Sequence, residues 1–200
     1  MNRLPLSFAL AAAGALLAAC ASNAPPDRFY TLGGGDAAAP AATTAAPLYI
    51  EVLPVTVPAQ VRRSQLVVTE GPGRVDLLEH HRWAGPLPDE IGRALSLDLS
   101  AALGALDVYR TPHPSGSTPY RIGTTVQRFE SAPGAYALLD ATWSVRKAGG
   151  DAVLACRSVF REPVGEGYEA LVAGHRAALA KMAAAIGAAV RRQEAGTGGC

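Results

Sequence analysis

The sequence predicts an α/β fold: a single layered domain in which a mixed, largely antiparallel β-sheet is packed by two main α-helices. Alternating, β-branched segments dominate the first half and recur in three longer runs between residues 120 and 162. Two other segments repeat apolar residues every three or four positions, which is the period of an amphipathic helix. Because a sheet and a helix each carry an apolar face that neither can bury alone, the two layers must pack together.

The chain begins with the pattern of a lipoprotein signal peptide, predicted over residues 1–19. Arg3 precedes an uncharged apolar run that ends in Leu17-Ala18-Ala19-Cys20, where small residues suit a narrow protease site and the thiol of Cys20 can accept lipid. The run is too short for a membrane span, which needs about 20 apolar residues. We therefore predict lipidation of Cys20; the alternative is an ordinary secretory signal with an accidental cysteine.

The residue after Cys20 predicts where the anchor resides. Ala21 stands where aspartate would favour inner-membrane retention. The expected location is therefore the outer membrane, lipid-anchored and facing the periplasm, with the inner membrane as the alternative.

The segment from Cys20 to residue 47 is predicted to be a tether. Residues 33–47 contain glycine, alanine, threonine and proline with one aspartate and have no periodicity. The aromatic stretch 28–32 is unlike a linker and is predicted to pair with the sheet as a first strand. The domain proper is expected over residues 48–193, and residues 194–200 are expected to form a flexible tail.

Local patterns predict the elements of the domain in order. A strand over 48–55 is followed by a hairpin, 65–69 and 74–79, around Glu70-Gly71-Pro72-Gly73. Residues 86–103 have a helical period, with proline and two acidic residues in the first turn. Three further strands, at 120–130, 135–147 and 152–162, are predicted to form an antiparallel meander. A long closing helix is predicted at 166–192.

Two further cysteines leave the disulfide state open. Cys156 shares a predicted strand face with Leu154 and Phe160, whereas Cys200 ends the tail. An oxidising periplasm would permit a bond between them. Burial of Cys156 as a free thiol is the favoured interpretation, and pairing with Cys200 is the alternative.

Charge and motifs exclude several functional classes. Without Arg3, the mature chain has 17 basic and 17 acidic residues, so it lacks the basic surplus of a nucleic-acid-binding protein. The sequence contains no catalytic motif, phosphate-binding loop or metal-binding spacing, and no cofactor is predicted. Glu79 and His81 would share a strand face, but a metal would need a third ligand. We expect a non-enzymatic protein with exposed histidines at this strand end.

Several aromatic and histidine residues are ambiguous between core and function. His175 lies on the apolar stripe of the last helix, where a hydrogen-bonded core histidine is the simpler interpretation. Trp143 shares a strand face with Leu139 and Val145, which also indicates core. Trp83 lies in a loop between the hairpin and the first helix, where it could fill the core or contact a partner.

The order of several short motifs resembles that of a known family. These are Arg28-Phe29-Tyr30-Thr31-Leu32, Pro58-Ala59, Gln65-Leu66-Val67, Arg82-Trp83-Ala84 with Pro86-Leu87, and Tyr168-Glu169-Ala170-Leu171-Val172. Together they are similar to the ABC-type transport auxiliary lipoproteins of the PqiC/YmbA-like group. The chain departs from the family at Gln60-Val61-Arg62-Arg63-Ser64, so the contact made there is expected to differ.

The resemblance implies a non-enzymatic auxiliary component of a transporter that contains an MCE-domain protein. The implied role is docking of that protein's channel, with a lipid as possible cargo and membrane integrity as the outcome. The resemblance marks three residues as members of a family motif and as a possible partner contact: Arg82, Trp83 and Leu87. Two rival hypotheses are a module that holds a lipid between its sheet and helices, and an enzyme with an unrecognised site.

Overall fold

The computed structural model describes residues 25–34 and 48–200. The predicted signal peptide, Cys20 and most of the predicted tether lie outside the described residues. Within them, no helix is both long enough and apolar enough to cross a membrane.

The α/β layered fold class is confirmed, but the strands form two sheets where the sequence indicated one. The smaller sheet has the order β1-β4-β3, and the larger has the order β5-β2-β6-β7-β8. The strands are β1 Arg28–Tyr30, β2 Leu48–Val52, β3 Gln65–Gly71, β4 Arg74–Trp83, β5 Ala105–Asp107, β6 Tyr120–Ala132, β7 Tyr136–Lys147 and β8 Val153–Pro163. The sheets are separate because β1, and not β2, pairs with the free edge of the β3–β4 hairpin.

The larger sheet contains the predicted antiparallel meander. Strands β6, β7 and β8 pair in sequence order, and β2 adds in parallel to the free edge of β6. β5 extends β2 in parallel and was not predicted, since three residues carry no periodicity. It begins immediately after Gly104, whose φ of +61° reverses the chain at the end of the preceding helix.

Two helices cover one face of the larger sheet. Helix α1 spans Leu87–Leu103 and helix α2 spans Tyr168–Glu194, within two residues of the predicted ends. The apolar stripes of both helices are buried, and Ile91, Leu95, Leu179 and Ile186 are fully inaccessible to solvent. Helix α2 packs on the meander and α1 packs on α2 and β5, so burial of the two stripes closes the core.

The start of α2 approaches the sheet unusually closely at Gly174. A Cβ atom added there would lie 3.0 Å from Cβ of Ala137 and closer still to Cγ1 of Val164. A larger residue at position 174 therefore requires a shift of the helix or of these neighbours.

The favoured interpretation of Cys156 as a free thiol is wrong. Cys156 is buried, as predicted, but it forms a disulfide with Cys200, with 5.9 Å between the two Cα atoms. The bond is possible because α2 ends beside β6 and β7, where Glu194 contacts Tyr120 and Lys147, and the tail continues from there to β8. The tail that was expected to be flexible is therefore joined covalently to the edge strand.

Candidate functional site

The motif residues singled out in the sequence flank the short loop that connects β4 to α1, residues 84–86, which we call the motif loop. Arg82 and Trp83 end β4, although Trp83 was expected in a loop, and Leu87 begins α1. Backbone hydrogen bonds hold the motif loop at both ends: Trp83 N donates to Ser64 O at 2.7 Å, and Ala84 N donates to Tyr30 O at 2.7 Å. At the helix end, Asp89 N and Glu90 N donate to Pro86 O. The loop is thus built jointly from β1, the residue before β3, and α1.

Two of the three predicted partner-contact residues form the base of this loop. Trp83 is 5% exposed and meets Phe129 edge to face, with ring centroids 6.1 Å apart. Leu87 is 1% exposed. Arg82 lies nearer the surface, where its Nε donates to Glu79 O and lies 3.5 Å from Asp27 Oδ2. Trp83 and Leu87 therefore position the loop, while Arg82 extends away from it.

A groove of about 350 Å³, which we call the loop groove, lies against this loop. It is lined by Trp83, residues 84–86, Leu87 and Pro88 on one side, and by Arg62, Arg63 and Ser64 on the other. Both arginines are exposed, and Arg62 Nη2 donates to Val57 O at 3.2 Å. Sequence reasoning identified residues 60–64 only as a departure from the family pattern; the structure places three of them in one groove with the motif loop.

The N-terminal segment is fixed across both helices. The buried carboxylate of Glu90, in the first turn of α1, accepts hydrogen bonds from Leu32 N at 2.8 Å and from Thr31 Oγ1 at 2.6 Å. Arg176 of α2 donates twice to Thr31 O, at 3.1 and 2.7 Å. These contacts make residues 28–32 part of the domain, and sequence reasoning did not identify Glu90 or Arg176 as the groups that hold them.

A second groove, which we call the tether groove, adjoins the beginning of this segment. It has a volume of about 550 Å³ and is lined by Pro25, Pro26, Arg28, residues 77–81 and residues 167–169. Asp27 Oδ1 lies 3.0 Å from His80 Nδ1, and Tyr30 Oη lies 2.8 Å from His81 Nδ1. The described chain begins in this groove at Pro25, five positions after Cys20, the residue predicted to carry the lipid.

The Glu79–His81 stretch is a bulge and not a regular strand end. Gln65 lies opposite Arg82 while Leu66 lies opposite Leu78, so three residues of β4 have no counterpart on β3. The bulge interrupts the alternation on which a shared face for Glu79 and His81 depended. The described residues contain no group of three or more side chains that could hold a metal ion.

His175 is a core residue with a hydrogen bond, as its position on the stripe indicated. Its Nε2 lies 2.8 Å from Ser131 Oγ, and its ring stacks on Phe129 with centroids 3.9 Å apart. Burial lowers the pKa of His175 to about 3, so the ring is neutral at pH 7. The Nδ1 atom has no hydrogen-bond partner among the described residues. Among the described residues, no carboxylate bonds to His175, and both members of the serine–histidine pair are buried.

The face of the larger sheet opposite the helices carries charged side chains. Asp140 is fully buried beneath Arg157, which donates to its two carboxylate oxygens at 2.9 and 2.7 Å. These hydrogen bonds hold the pKa of Asp140 below its usual range. The Arg157 side chain is 64% exposed. The hydrogen bonds of this pair satisfy the buried carboxylate of Asp140, and the exposed guanidinium makes this face of the sheet polar.

Side chains fill the layer between the larger sheet and the helices. One rival hypothesis places a bound lipid in this layer. Residues at its centre are fully buried, among them Leu139, Val145, Leu179, Met182 and Ile186. A lipid would have to displace these contacts. The loop and tether grooves, by contrast, open at the surface.

Comparison with known proteins agrees with the motif order in the sequence. Residues 30–187 match the ABC-type transport auxiliary lipoprotein component family. No curated protein sequence matches the chain.

Two crystal structures have the same fold. One, of an uncharacterized protein, has 18% identity and a TM-score of 0.66, with 82% of this chain and 99% of that chain covered. The other, of a Xanthomonas campestris protein of the DUF330 family, has 16% identity and a TM-score of 0.57, with 88% and 93% covered. These likenesses concern the fold, whereas the family match spans most of the sequence, so the chain belongs to the family of ABC-type transport auxiliary lipoprotein components.

Proposed function

We propose that the protein is a non-enzymatic outer-membrane lipoprotein that docks the channel of an MCE-type ABC transporter. In this role it supports lipid transport between the membranes and the integrity of the envelope. Membership of a transport auxiliary family supports a partner that belongs to a transporter. The observation that carries the docking assignment is the loop groove.

The chemistry of the loop groove fits a protein partner. Its base is apolar and rigid, because Trp83 and Leu87 are anchored in the core beneath it. Its rim carries the exposed Arg62 and Arg63. Such a pocket can receive one apolar anchor side chain, while the arginines select a neighbouring acidic group. A channel protein with an apolar residue beside a carboxylate at its periplasmic end would satisfy both.

The direction of the strands supports presentation of this groove toward the periplasm. β1 and β4 are parallel, with Arg28 opposite His81 and Tyr30 opposite Trp83. From Arg28 to Tyr30 the chain therefore runs in the same direction as β4, toward the motif loop, which begins directly after Trp83. A protein anchored through Cys20 would direct the loop groove away from its own membrane.

Site-specific photocrosslinking in intact cells tests the docking assignment. A photoreactive residue at Arg63 or Pro86 is expected to yield a crosslink to an MCE-domain protein. The same residue at Thr142, which is exposed on the face of the larger sheet opposite the helices, is the matched control and is expected to yield none. Crosslinks to unrelated proteins alone, or equal yields from the loop groove and from Thr142, would contradict docking at the loop groove.

The anchor is tested separately. Replacing Cys20 by serine should release a folded domain, and the resulting loss of envelope integrity should equal that of a deletion strain. The variant Ala21→Ser keeps the acceptor thiol and serves as the control. Full complementation by the released form would show that the anchor is not part of the function.

A further inference from the structure

We infer that the β3–β4 hairpin turn, at one end of the smaller sheet, rests on the phospholipid leaflet that holds the lipid anchor. The inference rests on the proposed acylation of Cys20. It adds an orientation and a second contact surface, whose partner is a lipid surface and not a protein.

The length of chain ahead of the domain sets the distance. β1 is part of the folded domain, held by β4, Glu90 and Arg176, so residues 35–47 connect two strands and add nothing to the tether. Pro25 follows Cys20 by only five positions. At no more than about 3.6 Å per residue, Cys20 lies within about 18 Å of Pro25.

The distance from Pro25 to the hairpin turn is about the same as the length of the extended tether, and the turn lies on the side from which the tether arrives. Pro25 lines the tether groove with Leu77 and Leu78, and the parallel register of β1 with β4, continued by the contact between Asp27 and His80, places it about level with Leu78. From Leu78, β4 continues back for five residues to the turn at Gly73, which is about 17 Å at roughly 3.3 Å per residue. An extended tether therefore ends near the level of the turn.

The opposite end of the sheet is not accessible to the anchor. To reach the loop groove, the tether would have to reverse and run back past β1 to the end of β4. A reversal takes a turn of about four residues, which would use nearly all of the tether. In addition, Pro25 and Pro26 each have a φ restricted to about −65°, which disfavours a sharp reversal at the domain boundary.

The side chains at this end suit a leaflet surface. Val75, next to the turn, is 49% exposed. Two charges near the turn are paired, with Arg74 Nη2 2.7 Å from Glu70 Oε2, whereas Asp76 is exposed. An exposed apolar side chain beside a neutralised ion pair can enter the headgroup region at low electrostatic cost.

Fluorescence quenching in vesicles tests this orientation. The acylated protein would be placed in vesicles of phosphatidylethanolamine and phosphatidylglycerol that carry a headgroup-linked quencher. One cysteine would be introduced as Val75→Cys or, as the control, as Ala84→Cys in the motif loop, and labelled with bimane. Because Cys20 would be alkylated and Cys156 is bonded to Cys200, only the new thiol reacts. Quenching at position 75 should exceed that at position 84 at least threefold.

A pair of insertions provides the second arm. Twelve glycine and serine residues inserted between Ala24 and Pro25 should abolish the difference between the two labels. The same insertion between Ala41 and Ala42 lies behind β1 and should leave the difference unchanged. Equal quenching of the two labels, or equal effects of the two insertions, would overturn the orientation.

Flotation of the vesicles separates the two proposals. A protein that fails to float, and whose N-terminal peptide lacks acyl mass, refutes the anchor and the orientation together. A protein that floats but shows equal quenching refutes the orientation alone.

Discussion

Gly174 and Gly187 lie on the same helix and provide a matched test of how α2 is held against the core. Both glycines are buried, and both lie in the interior of α2. Around Gly174 the space for a Cβ is already occupied by Ala137 and Val164, whereas at Gly187 a Cβ would lie 3.7 Å from Leu103, an ordinary contact. The two alanine substitutions therefore add the same atom to the same helix in different surroundings.

The two substitutions are expected to change stability with opposite signs. Alanine in a helix interior is favoured over glycine by about 1 kcal/mol. Gly187→Ala should keep most of that gain. At Gly174 the added carbon overlaps a β-branched side chain and a strand residue that cannot rotate away, and such overpacking costs about 1–3 kcal/mol. With further cost from separating α2 from the sheet, we expect Gly174→Ala to lower the free energy of unfolding by about 1–2 kcal/mol net.

Urea unfolding of the full chain, followed by tryptophan fluorescence, measures both variants. Trp83 and Trp143 are buried, so their emission reports loss of the core. Thermal unfolding should agree, at about 2–4 °C per kcal/mol for a domain of this size. If Gly174→Ala is as stable as Gly187→Ala, the close approach of α2 to the sheet does not limit the residue at position 174 and the packing argument is refuted.

Three further predictions concern buried polar groups and the disulfide. Because burial lowers the pKa of His175 from 6.5 to about 3, the free energy of unfolding should fall as the pH drops through this window, by up to roughly 5 kcal/mol. The variant His175→Gln should lose stability less steeply over the same pH range. A variant whose stability depends on pH as steeply as that of the parent protein would contradict the prediction. Asp140→Ala should lower the free energy of unfolding at pH 7 by only about 1–2 kcal/mol, because the exposed Arg157 regains water; a cost below about 0.5 kcal/mol would count against the pairing. Cys200→Ser opens a loop with a sequence separation of 44 and should cost roughly 2–4 kcal/mol, measured by urea unfolding; dithiothreitol should destabilise the parent protein equally but leave the variant unaffected.

Proposed docking and proposed membrane contact divide the smaller sheet between its two ends. The hairpin turn lies at one end of β4 and the motif loop at the other, and the described chain begins between them, beside residues 77–81. The two proposals are linked, because a short tether would orient the loop groove toward any partner that crosses the periplasm. A lengthened tether should therefore weaken the Arg63 crosslink as well as the leaflet contact.

Patterns within single segments predicted the parts of the fold that depend on local burial. The helices α1 and α2 and the meander β6–β8 were found because each buries one face, and burial of one face imposes a period of 3.6 or 2 on the sequence. His175 was identified as core for the same reason. β5 escaped prediction because three residues are too few to show a period.

The sequence by itself determined the layered fold class, its main elements and the family to which the chain is similar, since these depend on neighbours along the chain. Tertiary structure alone decided the separation into two sheets, the Cys156–Cys200 bond and the loop groove, which joins Ser64 to Trp83 through a backbone hydrogen bond. It also decided that Glu90 and Arg176 bind residues 31–32. Each of these contacts joins residues far apart in the chain, and backbone pairing between distant segments leaves no periodic signal in either segment.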